Sequence, residues 1–149
     1  MATLRERVQN ELTDAMRARD ETRKSTLRML TAAVKNAEIE ARKPLDDDGV
    51  IAVIQKQVKQ RRESMVEFEK GGRQDLVAKE AAELAVLEAY LPEQASREEI
   101  EAAARKVIEE TGASTQRDLG KVMPVLTKQF AGRADGRAIN EVVRAVLGV

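Results

Sequence analysis

Apolar residues in this chain recur at three- and four-residue steps almost from end to end, and no stretch alternates one by one over the length of a strand. Such spacing puts apolar side chains on one face of successive helices. Leu4, Val8, Leu12, Ala15 and Met16 form the first stripe, behind a capping box of Thr3 with Glu6 three residues on, which predicts a helix over Thr3 to Arg19. Asp20 reads as a second N-cap. The helix it opens carries Leu27, Leu30, Val34, Ala37 and Ala41 on one side and runs to about Arg42, where the approach of Pro44 stops it. The acids Asp46, Asp47 and Asp48 suit the positive end of a third helix with a seam of Ile51, Ile54, Val58, Met65 and Phe68, closed by Gly71 and Gly72. A fourth spans about Arg73 to Tyr90, with Leu76, Val77, Leu84, Leu87 and Leu91 inwards.

Arg61 breaks this pattern, because it falls in the third seam where a hydrophobic residue belongs. Either the stripe slips and the long stem reaches solvent, or the guanidinium is buried against Glu80 or Glu83 of the fourth helix. The first reading needs no buried charge and is preferred.

Pro92-Glu93-Gln94-Ala95 is short, polar and follows a helix stop, so it reads as a linker. Ser96 with Glu99 then makes a capping box for a fifth helix, with Ile100, Ala103, Ala104, Val107 and Ile108 inside and Gly112 at its end. Thr115 with Asp118 opens a sixth in the same way. Its stripe is Leu119, Val122, Met123, Leu126 and Phe130. Pro124 lacks an amide hydrogen and its ring meets the carbonyl of Gly120, so a kink is expected, or a loose turn over 118–120 with the helix proper starting near Lys121. Gly132 caps its end, and Asp135 starts a last helix with Ile139, Val142, Val143, Val146 and Leu147 buried. The chain is expected to be all-α: a four-helix N-terminal half over residues 1–91 and a three-helix C-terminal tail over residues 92–149.

Composition removes several functions. Without cysteine or histidine there is no disulfide, no zinc site of the usual ligands, and no Ser-His-Asp or Cys-His nucleophile pair. No catalytic residue, metal or cofactor is expected. The start of the chain has no apolar signal core and no run approaches membrane-spanning length, which predicts a cytoplasmic protein without a membrane partner. Formal net charge is zero, so nucleic-acid binding would have to rest on a patch. With one tyrosine, two phenylalanines and no tryptophan, stacking platforms for single-stranded bases are missing, and contact would be through backbone and shape.

The least generic stretch is Asp118 to Asn140. From Gly112 to Val149 there are six basic residues (Arg117, Lys121, Lys128, Arg133, Arg137, Arg144) against three acids (Asp118, Asp135, Glu141), while Glu93 to Thr111 carries three basic residues against six acids. Gly132-Arg133-Ala134-Asp135-Gly136-Arg137 would set two arginines beside the free amides of a helix start, a setting suited to phosphate. Spacing alone fits a polar turn with two solvated arginines better. Arg17, Arg19, Arg23, Lys24 and Arg28, and again Lys56, Lys59, Arg61 and Arg62, form two further basic clusters that read as solvated faces.

Asp118-Leu119-Gly120-Lys121-Val122-Met123, then Gly132 to Arg137, and Tyr90-Leu91-Pro92 at the junction resemble the tail domain of the GatB/YqeY family. Leu27-Arg28-Met29-Leu30, Ala32 to Ile39, and Gln57 to Ser64 resemble its stand-alone YqeY-like members. The likeness runs in order along essentially the whole chain, departing at Pro124, which leaves that helix boundary open. The resemblance implies a helical, tRNA-contacting appendage. Similar tails belong to the amidotransferase B subunit that amidates mischarged glutamyl- or aspartyl-tRNA, and to some glutaminyl-tRNA synthetases. It implies Lys121, Lys128, Arg133 and Arg137 as nucleic-acid-binding residues, and tRNA as partner. Three functions follow in order of preference: a tRNA-binding accessory module; an adaptor docking on an aminoacyl-tRNA synthetase or amidotransferase; and a component of a carbon–nitrogen ligase with glutamine as amido donor. The last would borrow its glutaminase, since nothing here supplies independent catalysis.

Overall fold

The computed structural model describes residues 2–149, and among them every regular element is helical. In order these are α1 (Leu4–Arg17), α2 (Glu21–Ala41), α3 (Asp47–Lys70), α4 (Gln74–Glu88), α5 (Arg97–Thr111), a three-residue 3-10 turn (Gln116–Asp118), α6 (Leu119–Gln129) and α7 (Gly136–Leu147). The all-α expectation holds. The chain divides into two compact units, Met1–Leu91 and Pro92–Val149. No helix among the described residues is long and apolar enough to cross a membrane.

In the first unit α1, α2 and α3 each start where a side chain holds an otherwise unpaired N–H, while α4 starts at Arg73 without such a cap. Thr3 accepts from the Glu6 amide, Asp20 from that of Arg23, and Asp46 from that of Gly49. Asp47 also accepts from the Leu4 amide at 2.9 Å, tying the start of α3 to the start of α1. The four helices enclose Val8, Leu12, Leu27, Leu30, Val34, Val50, Ile54, Val58, Leu87 and Tyr90. Leu27, Leu30, Ile54 and Leu87 are fully buried, each stabilising the unit by roughly 1.5–3 kcal/mol. The phenol of Tyr90 donates to the carboxylate of Glu11, and the Arg7 guanidinium lies 4.8 Å from its ring centre. Burial and the Glu11 carboxylate push the phenol well above its ordinary pKa.

Three details differ from the sequence reading. Met16 is half-exposed, because the buried stripe of α1 is Val8, Leu12 and Ala15 and α1 ends at Arg17. α2 stops at Ala41, and Arg42 turns left-handed at φ 58°. The α3 seam runs through Val50 rather than Ile51, continuing to Ile54, Val58 and Arg61.

That register settles the arginine. Arg61 is only 6% exposed, so the expected slipped or snorkelling stem is corrected to the buried ion pair. Its Nη1 donates to Glu83, itself 5% exposed, and to Glu80 Oε2 at 3.2 Å. Its Nη2 lies 3.7 Å from Met29 Sδ on α2. One side chain of α3 therefore links α4 and α2.

In the second unit Ser96 accepts from the Glu99 amide to start α5, and Asp135 from the Ala138 amide to start α7. A core of its own comprises Ile100, Ala104, Val107, Ala113, Val122, Leu126, Phe130, Ile139, Val142 and Val143. The helix expected from about Lys121 begins at Leu119, following the 3-10 turn, and continues through Pro124. Gly120, whose carbonyl the proline ring crowds, has nothing within 4 Å of where a Cβ would stand, so its backbone has room to adjust. α6 ends at Gln129, and Gly132 takes φ +79° in the turn that follows.

The buried arginine yields a stability prediction. Glu83→Ala leaves Arg61 only Glu80 as a carboxylate partner and should cost about 3 kcal/mol in urea unfolding, whereas replacing Arg61, Glu80 and Glu83 together by apolar residues of similar volume should recover most of that. Tyr90, the only tyrosine in a chain without tryptophan, provides a fluorescence readout confined to the first unit. Equal losses in the single and triple variants would refute the pairing.

Candidate nucleic-acid interface

The basic residues singled out in the tail sit on three consecutive pieces of chain. Lys121 and Lys128 are on α6, Arg133 in the turn after it, and Arg137 in the first turn of α7. Their surroundings divide them into cations that are held and cations that are available.

Asp118 organises the start of α6. Its carboxylate accepts from the amides of Ser114 at 2.8 Å and Thr115 at 3.0 Å, and from the Thr115 hydroxyl at 3.2 Å. These backbone donors stabilise the ionised form and bring its pKa down to about 2. Lys121, one turn on and exposed, approaches the same carboxylate only to 3.7 Å.

Lys128 is exposed in the last turn of α6 and has no ion-pair partner among the described residues. It follows Lys121 by two helical turns, so the two ammonium groups share a face and are spaced about 10 Å along the axis. Pro124 and Val125, both exposed, lie between them, Val125 at 48%. Arg117, exposed in the 3-10 turn, precedes Lys121 by one further turn.

Arg133 is employed differently from what the turn suggested. Its Nε donates to the Glu93 carbonyl at 2.9 Å and its Nη2 to Glu99 Oε2 at 2.9 Å. The guanidinium also stands 6.0 Å from the centre of the Phe130 ring. The Arg133 carbonyl accepts from the Ala95 amide at 2.9 Å, and Gln94 Nε2 donates to the Gly132 carbonyl at 3.0 Å. Residues 93–95 are thus fastened to the α6–α7 turn. The hydrogen bond to Arg133 holds the Glu99 carboxyl below its usual range and raises the guanidinium. Nothing in the local sequence announces this, because the partners lie 34 and 40 residues upstream. Arg137 faces solvent and meets Glu141 at 3.5 Å, a one-turn pair whose members are both more than 60% exposed. Such pairs hold weakly and are readily exchanged.

Of the nine basic residues in the two clusters of the first unit, three are engaged, and the other six have no ion-pair partner among the described residues. Lys24 pairs with Glu21 at 3.0 Å, Arg62 with Glu88, and Arg61 is buried. Among the described residues no group of three or more acids is placed to hold a metal ion.

These features define a charged all-helical protein whose second unit carries solvent-facing cations on α6 and α7. The sequence matches the model of the Yqey-like protein family over residues 5–147, and the chain belongs to that family. Relatives named "Altered inheritance of mitochondria protein 41, mitochondrial" are similar to it. That of Eremothecium gossypii is 43% identical over 106 residues, covering 69% of this chain and 58% of the relative. That of Kluyveromyces lactis is 36% identical over 137 residues (89% and 69%), and that of Pyrenophora tritici-repentis 32% over 148 residues (95% and 80%). These names correct the cytoplasmic location expected from the N-terminal residues. That expectation looked only for an apolar secretory core, whereas mitochondrial targeting relies on amphipathic basic segments that such a test does not see.

The Asp118 environment predicts an acid response. Its folded pKa of about 2 lies below the ordinary aspartate value of 3.8, so the unfolded chain binds the proton first as pH falls. The stability this carboxylate supplies is complete above pH 4 and is lost as pH drops through about 2. The Ser114 and Thr115 amide shifts should titrate near pH 2, and Asp118→Asn should abolish that titration; a midpoint near 4 would contradict the geometry.

Proposed function

We propose that this chain is a tRNA-binding accessory module, meeting the backbone of a folded tRNA through Lys121 and Lys128 of α6 and Arg137 of α7. Arg133 supports that surface by fastening the turn from which α7 departs. The observation carrying the reading is the exposed α6 face, where Lys128 is unpaired and Lys121 is only loosely engaged. The resemblance of Asp118–Met123 and Gly132–Arg137 to the tail of amidotransferase B subunits supports the same reading. So does the excess of three positive charges over residues 112–149.

An adaptor that docks on a synthetase or amidotransferase is the second reading, favoured by the exposed Val125 between the two lysines. A single valine is small beside the apolar patches that mark protein interfaces, so RNA takes precedence.

The test is fluorescence anisotropy with bulk tRNA and with mitochondrial tRNA, the latter because of the relatives' names. About three phosphate contacts would weaken binding roughly 20- to 40-fold between 50 and 200 mM salt. Lys121→Ala/Lys128→Ala/Arg137→Ala should remove most binding with helix content unchanged. Arg133→Ala should chiefly lower the thermal stability of the tail. Binding that ignores both salt and the triple variant would transfer preference to the adaptor.

A further inference from the structure

A cleft of about 580 Å³ opens in the first unit between α1, α2 and the start of α3. Ligand sites for small molecules span roughly 300–1,000 Å³. Its floor is apolar: Val8, Val34 and Val50 are 3%, 4% and 0% exposed. Its walls carry charge of both signs, with Arg5 and Glu6 contributed by α1, and Lys35 and Glu38 by α2.

The four charges are not equivalent. Glu38 is fully engaged: Oε1 accepts from Arg5 Nη2 at 2.8 Å and Oε2 from the Leu45 amide at 2.9 Å. Its side chain is 12% exposed, so the Arg5–Glu38 pair closes as a neutral, fixed strut joining α1 to α2. Glu6 and Lys35 remain. Both are exposed, and among the described residues neither side chain has a hydrogen-bond or ion-pair partner. The α1 wall therefore offers an unpaired carboxylate, the α2 wall an unpaired ammonium, and an apolar floor lies between.

From that arrangement we infer a binding site for a short zwitterionic peptide with apolar side chains. Glu6 receives its terminal ammonium, Lys35 its terminal carboxylate, and Val8, Val34 and Val50 its side chains. The cleft volume lies within the range of small-ligand sites, the size class of a short peptide. A lone anion would leave Glu6 facing it, and a lone cation would leave Lys35. Gln9, exposed on the rim, is free to bond a peptide group. This site is independent of the tail surface and of the tRNA reading.

Dileucine is the probe, followed by amide shifts in ¹H–¹⁵N spectra of the whole chain. Saturable shifts confined to α1, α2 and the start of α3 are expected. Acetylating the amino end or amidating the carboxyl end should each weaken binding about two- to fivefold, the scale of a partly exposed ion pair. Glu6→Gln should remove the sensitivity to acetylation alone, and Lys35→Met the sensitivity to amidation alone. Gln9→Trp, at an exposed rim position, should obstruct the cleft. Melting curves of all three variants should match the parent. Absence of saturable shifts, equal affinity for capped and uncapped dileucine, or capping effects that survive both variants would each overturn the proposal. So would a dimer in light scattering that Gln9→Trp dissociates, since a second copy would then be the occupant.

Discussion

A guanidinium withdrawn from water must meet carboxylates or destroy the fold around it, and the first unit is arranged about that requirement. Arg61 occupies a position on α3 that simple apolar packing would give to a leucine. It holds Glu80 and Glu83 on α4 and touches Met29 on α2. Apolar contacts tolerate sliding by a turn, because one valine or leucine replaces another at similar energy. A buried charge pair does not, since every other register strands an ion. In a unit whose core is almost wholly aliphatic, Arg61 is the one buried side chain of α3 that makes directional bonds to α4.

The tail distributes its cations on another principle. Arg133 is committed inwards, bound to a carbonyl and a carboxylate of the segment leading into α5. Lys121 and Arg137 have only long, solvent-facing partners, and Lys128 has none among the described residues. A surface that binds a polyanion needs cations whose present contacts are cheaply exchanged, on a support that does not move when they are. Asp118, with three donors around one carboxylate oxygen, and Arg133, with its bonds across the turn, fix the backbone beside the exposed cations.

The helices were legible because their starts are written locally. Thr3, Asp20, Asp46, Ser96 and Asp135 each cap the helix the spacing implied. Where the reading failed, the deciding partner was distant in sequence or the helix phase turned on one residue. Val50 replaced Ile51 because the seam is continuous with Val58 and Arg61. The preference for a snorkelling Arg61 weighed the cost of burying a charge without the partners on α4, which only the fold brings alongside. The four candidate residues of the site follow from the family resemblance, together with the local excess of basic residues. Their division into one held and three available cations does not, because it depends on Glu93 and Glu99 reaching the α6–α7 turn.

That clasp also determines where the tail begins as a physical object. Counting helices, one would start it at the Ser96 cap. Counting hydrogen bonds, it starts at Glu93, because the Glu93 carbonyl, the Gln94 amide group and the Ala95 amide all serve the turn at 132–133. A fragment cut at the helix cap would retain every helix of the tail yet deprive Arg133 of its backbone acceptor. Arg133 would keep its ion pair with Glu99 but lose the carbonyl that orients the guanidinium across the turn, so the fragment would hold that side chain and the α6–α7 turn more loosely than the intact chain does.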